Sequence, residues 1–257
     1  MSREYYKKRP LGHKNFDSLL ILYYNYDQMV VKGDGFMPKE TFFNLNDEKR
    51  NKIFKVALKE FAVNDYNSAS INHIVKVAGI SKGSMYQYFD NKKDLYLYLL
   101  DQAGEKKLNF ISENISKTKK DFFVMLKTMH LEGARFDLTH PKYSKLILNA
   151  MNESLIDELG NIGVELKKRS DQYFEDYIIE AQKNGKLRSD IDSQFLSFLV
   201  SRISMSLLDY VTEQYDFSYR ELIENNINKM PIPDQELEDI LDEFIAVLKE
   251  GLEIRQK

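Results

Sequence analysis

Residues 70–89, SINHIVKVAGISKGSMYQYF, leave few folds open. Ile71, Ile74, Val75 and Ala78 fall on one side of a helix, and Ser70 ahead of them is a residue type whose side-chain oxygen caps helix N-termini. Gly79 then breaks the pattern with the residue that enters the left-handed conformation without a Cβ penalty. Ser81 offers a second cap, Ile80 is placed to tuck between the helices, and Met85 and Phe89, four apart, share the buried side of the second helix. Two short helices joined by a tight turn make a helix-turn-helix.

Gly83 sits in the first turn of the second helix, where glycine costs about 1 kcal/mol relative to alanine. That cost points to something approaching the backbone closely. In a helix-turn-helix the N-terminal end of the second helix meets base edges in the major groove. Lys82, Gly83 and Ser84 occupy that end. Tyr86, Gln87 and Tyr88 are expected along the exposed flank, where phenol hydroxyls reach phosphate oxygens. Lys92 adds a charge where the DNA backbone would pass.

From Asp47 onward the pattern is helical almost throughout, and the expected fold class is all-α. Ile53, Phe54, Ala57, Leu58 and Phe61 recur at helical spacing, and Asn91 with Asp94 resembles a capping pair opening a helix from Lys92 to about Ile115. Later helices are expected near 121–138, 141–158, 162–184, 192–215, 219–229 and 234–254. No alternation of strand type is sustained. Residues 1–36 stand apart, with clustered tyrosines and no clear helical face. They read as an extension, either a translated leader ahead of a natural start at Met37 or a poorly ordered N-terminal arm.

Composition excludes several functions. No cysteine is present, which removes disulfides, thiol catalysis and thiol-based redox sensing. The longest unbroken apolar runs, such as LLILYY at 19–24, are too short to span a bilayer, and no secretory signal pattern is seen, so a cytoplasmic protein without a membrane partner is expected. The four histidines have no metal-ligand spacing, and there is no phosphate-binding glycine loop or nucleophile elbow. Neither an enzyme nor a cofactor or metal is expected. Residues 37–100 carry ten Lys and Arg against seven Asp and Glu, whereas 101–257 carry twenty-one against twenty-nine. A mildly basic head on an acidic body suits a module that binds a polyanion.

The series from Phe54 to Tyr96, with Ala78-Gly79-Ile80-Ser81, Lys82-Gly83-Ser84, Tyr86-x-Tyr88-Phe89 and Asn91-Lys92-x-x-Leu95, resembles the DNA-binding domain of the TetR/AcrR family of bacterial transcriptional regulators. The resemblance covers about 47–96. It implies a three-helix DNA-binding domain at 37–96 followed by a larger helical effector-binding and dimerisation domain at 97–257. It places Lys82, Gly83 and Ser84 at base-reading positions, Ser70, Tyr86, Tyr88 and Lys92 at phosphate positions, and Gln87 at either. The implied partners are double-stranded DNA, a second copy of the chain and an unidentified small-molecule effector, and the implied role is a ligand-responsive repressor on a pseudo-palindromic operator. A helical interaction adaptor with a degenerate head is the alternative.

Helix 192–215 is apolar on more than one face, with serines interleaved. The resemblance implies that it and 234–254 pair with their symmetry mates in a dimer interface, with a wholly intramolecular core as the alternative. The ligand-binding residues are unknown from sequence. Methionines and aromatics at 122–177 suit a pocket or an ordinary core, and His130, Glu132 and Arg135 read as a solvated helix face in preference to pocket contacts.

Overall fold

A computed structural model describes residues 38–115, 121–152 and 158–252. The leader-or-arm reading of 1–36 lies outside them. Every regular element among the described residues is a helix: α1 Glu40–Phe43, α2 Asp47–Val63, α3 Ile71–Ala78, α4 Lys82–Tyr88, α5 Lys92–Ile115, α6 Phe122–Thr139, α7 Pro141–Asn152, α8 Ile162–Lys183, α9 Ser193–Gln214, α10 Tyr219–Glu224 and α11 Asp234–Leu252. The chain packs into two units, one formed by the residues up to Lys106 with Lys142–Glu165, the other by Lys107–Pro141 with the residues from Leu166 onward.

In the first unit α2 starts where Asn46 accepts the Lys49 N–H at 2.8 Å and Asp47 and Glu48 fill the first turn. Ile53, Ala57 and Phe61 of α2, Ile74 of α3, Met85 of α4 and Leu95, Tyr96 and Leu99 of α5 form its core, each at most 1% exposed. The four-residue α1 is not anticipated by the sequence, because one turn is too short to show a period. Its Phe42 is 1% exposed and stands against the rings of Phe89 (4.9 Å), Tyr98 (5.6 Å) and Tyr88 (6.0 Å). Helix α7 also belongs to this unit, through Asn149 donating to the Phe61 carbonyl at 3.1 Å and Tyr143 beside Phe54.

Among the described glycines of this unit, Gly163 is the one that another backbone approaches too closely for a side chain. A Cβ there would lie 2.8 Å from the Met151 carbonyl oxygen and 2.9 Å from that of Ala150. Neither is a side chain that can swing away. Gly163→Ala is therefore expected to destabilise the protein by about 1–3 kcal/mol, as overpacking does, and against the helix-propensity gain that the same substitution gives in open helix. Urea unfolding of the variant measures it.

In the second unit α6 and α11 lie side by side around Leu138, Val211, Ile232, Leu237 and Leu241. The expected solvated face of α6 is corrected here. Glu132 is 6% exposed and its carboxylate accepts from Arg135 at 2.7 Å, while Arg135 also reaches Asp234 and Glu238 of α11. His130 donates through Nδ1 to the Leu126 carbonyl at 2.7 Å with its ring 5.2 Å from that of Phe244, and burial lowers its pKa. The sequence reading grouped these three residues as a helix face open to solvent. It could not show that α11 covers that face.

Helix α9 is long and apolar enough, by length and composition alone, to cross a membrane. A count of unbroken apolar runs misses this, because serines divide the run. On one side Leu196, Ser197, Val200, Ser201 and Val211 are buried, with Ser197 donating to the Asp171 carbonyl and Arg202 bound to the Asp171 carboxylate at 2.9 Å. The other side leaves Phe195 54%, Phe198 46%, Ile203 43% and Tyr210 52% exposed. Past α9, the helix expected at 219–229 stops at Glu224. Ser218 and Glu221 close a capping box at its start, and Asn226 takes a positive φ of 52° just beyond its end.

Candidate nucleic-acid interface

The turn expected from the two glycines is present. Ser70 caps α3 by accepting the His73 N–H at 3.2 Å. Gly79 stands at φ 74°, ψ 36°, the left-handed conformation, and both its N–H and that of Ile80 return to the Val75 carbonyl at 3.0 Å. Ser81 then caps α4, accepting the Ser84 N–H at 2.9 Å. Ile80 is half-buried, and Met85 and Phe89 are each 1% exposed.

Lys82 and Gly83 are exposed at the start of α4. A Cβ on Gly83 would meet only the Ser81 hydroxyl, at 3.8 Å. Among the described residues, nothing requires a glycine at this position. Ser84 is half-buried, its hydroxyl 2.8 Å from that of Ser81, with either able to donate. Tyr86 is 42% exposed and Gln87 is exposed beside it.

Two expected site residues sit differently from the sequence reading. Tyr88 is 6% exposed, so it does not lie on the open flank. Its position three after Met85 turns the ring inward, and α1, the helix the sequence did not show, covers it. Lys92 is half-buried, with Nζ donating to the Asn67 carbonyl at 3.2 Å and standing 4.7 Å above the Tyr66 ring. Its charge braces the turn ahead of α3 as well as facing outward. That turn is further held by Asp65, whose hydrogen bonds from Ser68, helped by the Lys92 charge, lower its carboxyl pKa.

The sequence reading missed three residues. Lys39 donates its N–H to the Tyr88 carbonyl at 2.8 Å and its Nζ to that of Tyr86 at 2.9 Å, and Thr41 donates to the Gln87 carbonyl. Together they hold the last three carbonyls of α4. Glu60, an acid on the apolar face of α2, binds the Ser70 N–H and the His73 ring. An acid at a core position of a helical stripe is the signal that could have found it.

A capped short helix, a left-handed glycine and a second capped helix with an open N-terminal end define a helix-turn-helix protein. Residues 53–99 match the sequence profile of the family described as bacterial regulatory proteins, tetR family. A solved TetR family transcriptional regulator from Chloroflexus aurantiacus J-10-FL is 32% identical, with a TM-score of 0.72 over 85% of this chain and 100% of that one. The HTH-type transcriptional regulator YuxN of Bacillus subtilis (strain 168) is 30% identical over 71% of this chain, and the match spans 63% of the relative's own length. The fatty acid metabolism regulator protein of the same organism is 22% identical over 56% of this chain and 73% of its own length. The chain belongs to the TetR family of bacterial transcriptional regulators.

Proposed function

We propose that this protein is a ligand-responsive transcriptional repressor that binds a pseudo-palindromic operator as a homodimer. Residues 37–96 act as the DNA-binding head and 97–257 as the effector-binding and dimerising body, in the cytoplasm. The observation that carries the reading is Gly83: exposed at the open end of α4, disfavoured by helix propensity and required by no internal contact. A glycine of this kind suits a surface that another molecule's backbone or bases must approach. Lys82, Gly83 and Ser84 then read bases, Ser70, Tyr86 and Lys92 hold phosphates, and Gln87 reaches either. Tyr88 seats the end of the reading helix. Two such helices entering successive major grooves roughly 34 Å apart dictate the symmetry of the operator. The effector acts by binding one arrangement of the two heads more tightly than another, since equal affinity shifts nothing.

The test is selection of bound duplexes from a random pool by the full chain, followed by titration of the recovered duplex with Gly83→Val. The variant is expected to fold, because a Cβ there makes only an ordinary contact with the Ser81 hydroxyl, and to lose operator binding. Circular dichroism provides the folding control. Should Gly83→Val stay folded and bind the recovered duplex normally, the open end of α4 does not face DNA.

A further inference from the structure

Glu60 is 7% exposed, and a carboxylate so placed is costly unless it is paired. Its Oε1 accepts the Ser70 N–H at 2.8 Å and its Oε2 accepts from His73 Nδ1 at 2.6 Å. One buried acid thus fixes both the cap of α3 and a ring in its first turn. The ring itself is not buried: the His73 side chain is 59% exposed. It fills no core space, and inside the protein it serves to pair the Glu60 carboxylate.

Chemistry decides what the outer nitrogen offers. Nδ1 must donate to the carboxylate, so a neutral ring leaves only a lone pair on Nε2, whereas the imidazolium presents an N–H there. Only that N–H can donate to an anion on the outer side of the ring. In a helix-turn-helix the first helix crosses the DNA backbone, and the half-buried cap Ser70 and the exposed His73 stand together at the start of α3. Resting on the DNA-binding function proposed above, we infer that His73 is a further phosphate contact, its imidazolium held between Glu60 and a backbone phosphate. Glu60 is its positioning residue. Through one carboxylate the core of α2 aims the charge that meets the DNA.

The experiment uses the full chain, the duplex recovered from the random pool and a scrambled duplex, with affinity followed against salt. His73→Ala is expected to weaken binding to both duplexes by about tenfold near 0.1 M salt and to make the log–log salt dependence shallower by roughly two units for a dimer. His73→Arg should restore the slope. Glu60→Gln should weaken binding to a similar degree, and the double variant Glu60→Gln/His73→Ala should bind no worse than His73→Ala alone, since both act through one contact. His73→Ala leaves the buried Glu60 carboxylate with the Ser70 N–H alone, so circular dichroism accompanies each variant, and the double variant, which removes that charge as well, keeps the comparison informative. Unchanged affinity and slope in His73→Ala, or a loss of affinity with the slope unchanged, would overturn the inference. Failure of the unaltered protein to bind any duplex would overturn the DNA-binding reading beneath it, and the two failures are distinct.

Discussion

Phe198→Lys is expected to give a folded monomer that no longer holds its operator. Phe195, Phe198, Ile203 and Tyr210 form an uncovered apolar face on α9, and Val247 on α11 is 72% exposed. Burying a phenylalanine side chain is worth about 1.5–3 kcal/mol, and a two-fold interface counts each residue twice. A lysine at 198 removes that contribution and places an unpaired charge in the contact. It also stands beside Arg202, whose guanidinium now lies 5.0 Å from the Phe198 ring centre and already occupies the Asp171 carboxylate. One head alone binds without the linkage of the second, which costs roughly 10²–10⁴ in operator affinity. Because Phe198 is exposed within the single chain, thermal stability of the subunit should change little. Leu208 and Phe244, which face the buried cluster around Val211 and Leu241, would confound folding with assembly. Sedimentation of both proteins at micromolar concentration, beside operator titration, makes the measurement. A monomeric unaltered protein, or a Phe198→Lys variant that stays dimeric, rules out this face as the interface.

Arg135→Met is expected to destabilise the second unit by about 3 kcal/mol. Arg135 Nε and Nη2 bind Asp234 in a fork at 2.9 and 2.5 Å, Nη2 reaches Glu238 at 2.8 Å, and Nη1 holds Glu132 at 2.7 Å. The three acids do not contribute alike. Asp234 and Glu238 keep solvent access, so their pairing with Arg135 is largely screened. Glu132 is buried, and without the guanidinium it becomes an uncompensated charge beside the hydrophobic contact of α6 with α11. Glu132→Gln on top of Arg135→Met should therefore recover most of the loss in urea unfolding. No recovery would mean that the cost lies in Asp234 and Glu238. Acid weakens the same cluster. The Arg135 hydrogen bonds hold the Asp234 carboxyl below its usual value, so its contribution is present above the ordinary aspartate range and is lost as pH falls through the depressed value.

Whatever depends on local period or a single residue's backbone preference was readable in the sequence. The turn at Gly79, the caps at Ser70 and Ser81 and the spans of the long helices follow from neighbours within four residues. Packing across distant segments was not readable. Tyr88 is covered by α1, 45 or so residues earlier in the chain, and Lys92 is held by Asn67. His130, Glu132 and Arg135 are covered by α11, about a hundred residues later. The hydropathy of α9 was hidden for a different reason, because its serines return their hydroxyls to nearby carbonyls, as Ser204 does to Val200 and Ser206 to Ile203, and so behave as small, satisfied residues within an apolar helix.

The short helix α1 bears on where the DNA-reading part can be cut from this protein and grafted elsewhere. Lys39 and Thr41 supply the donors for the carbonyls of Tyr86, Gln87 and Tyr88, and Phe42 closes the ring cluster behind them. A transplant starting at Asp47, where the long helical pattern begins, would carry every residue proposed to touch DNA and still leave the far end of the reading helix unclasped. The smallest portable module begins at Lys39. In a chimera, those eight additional residues separate a head that keeps its own aim from one that borrows its aim from the host.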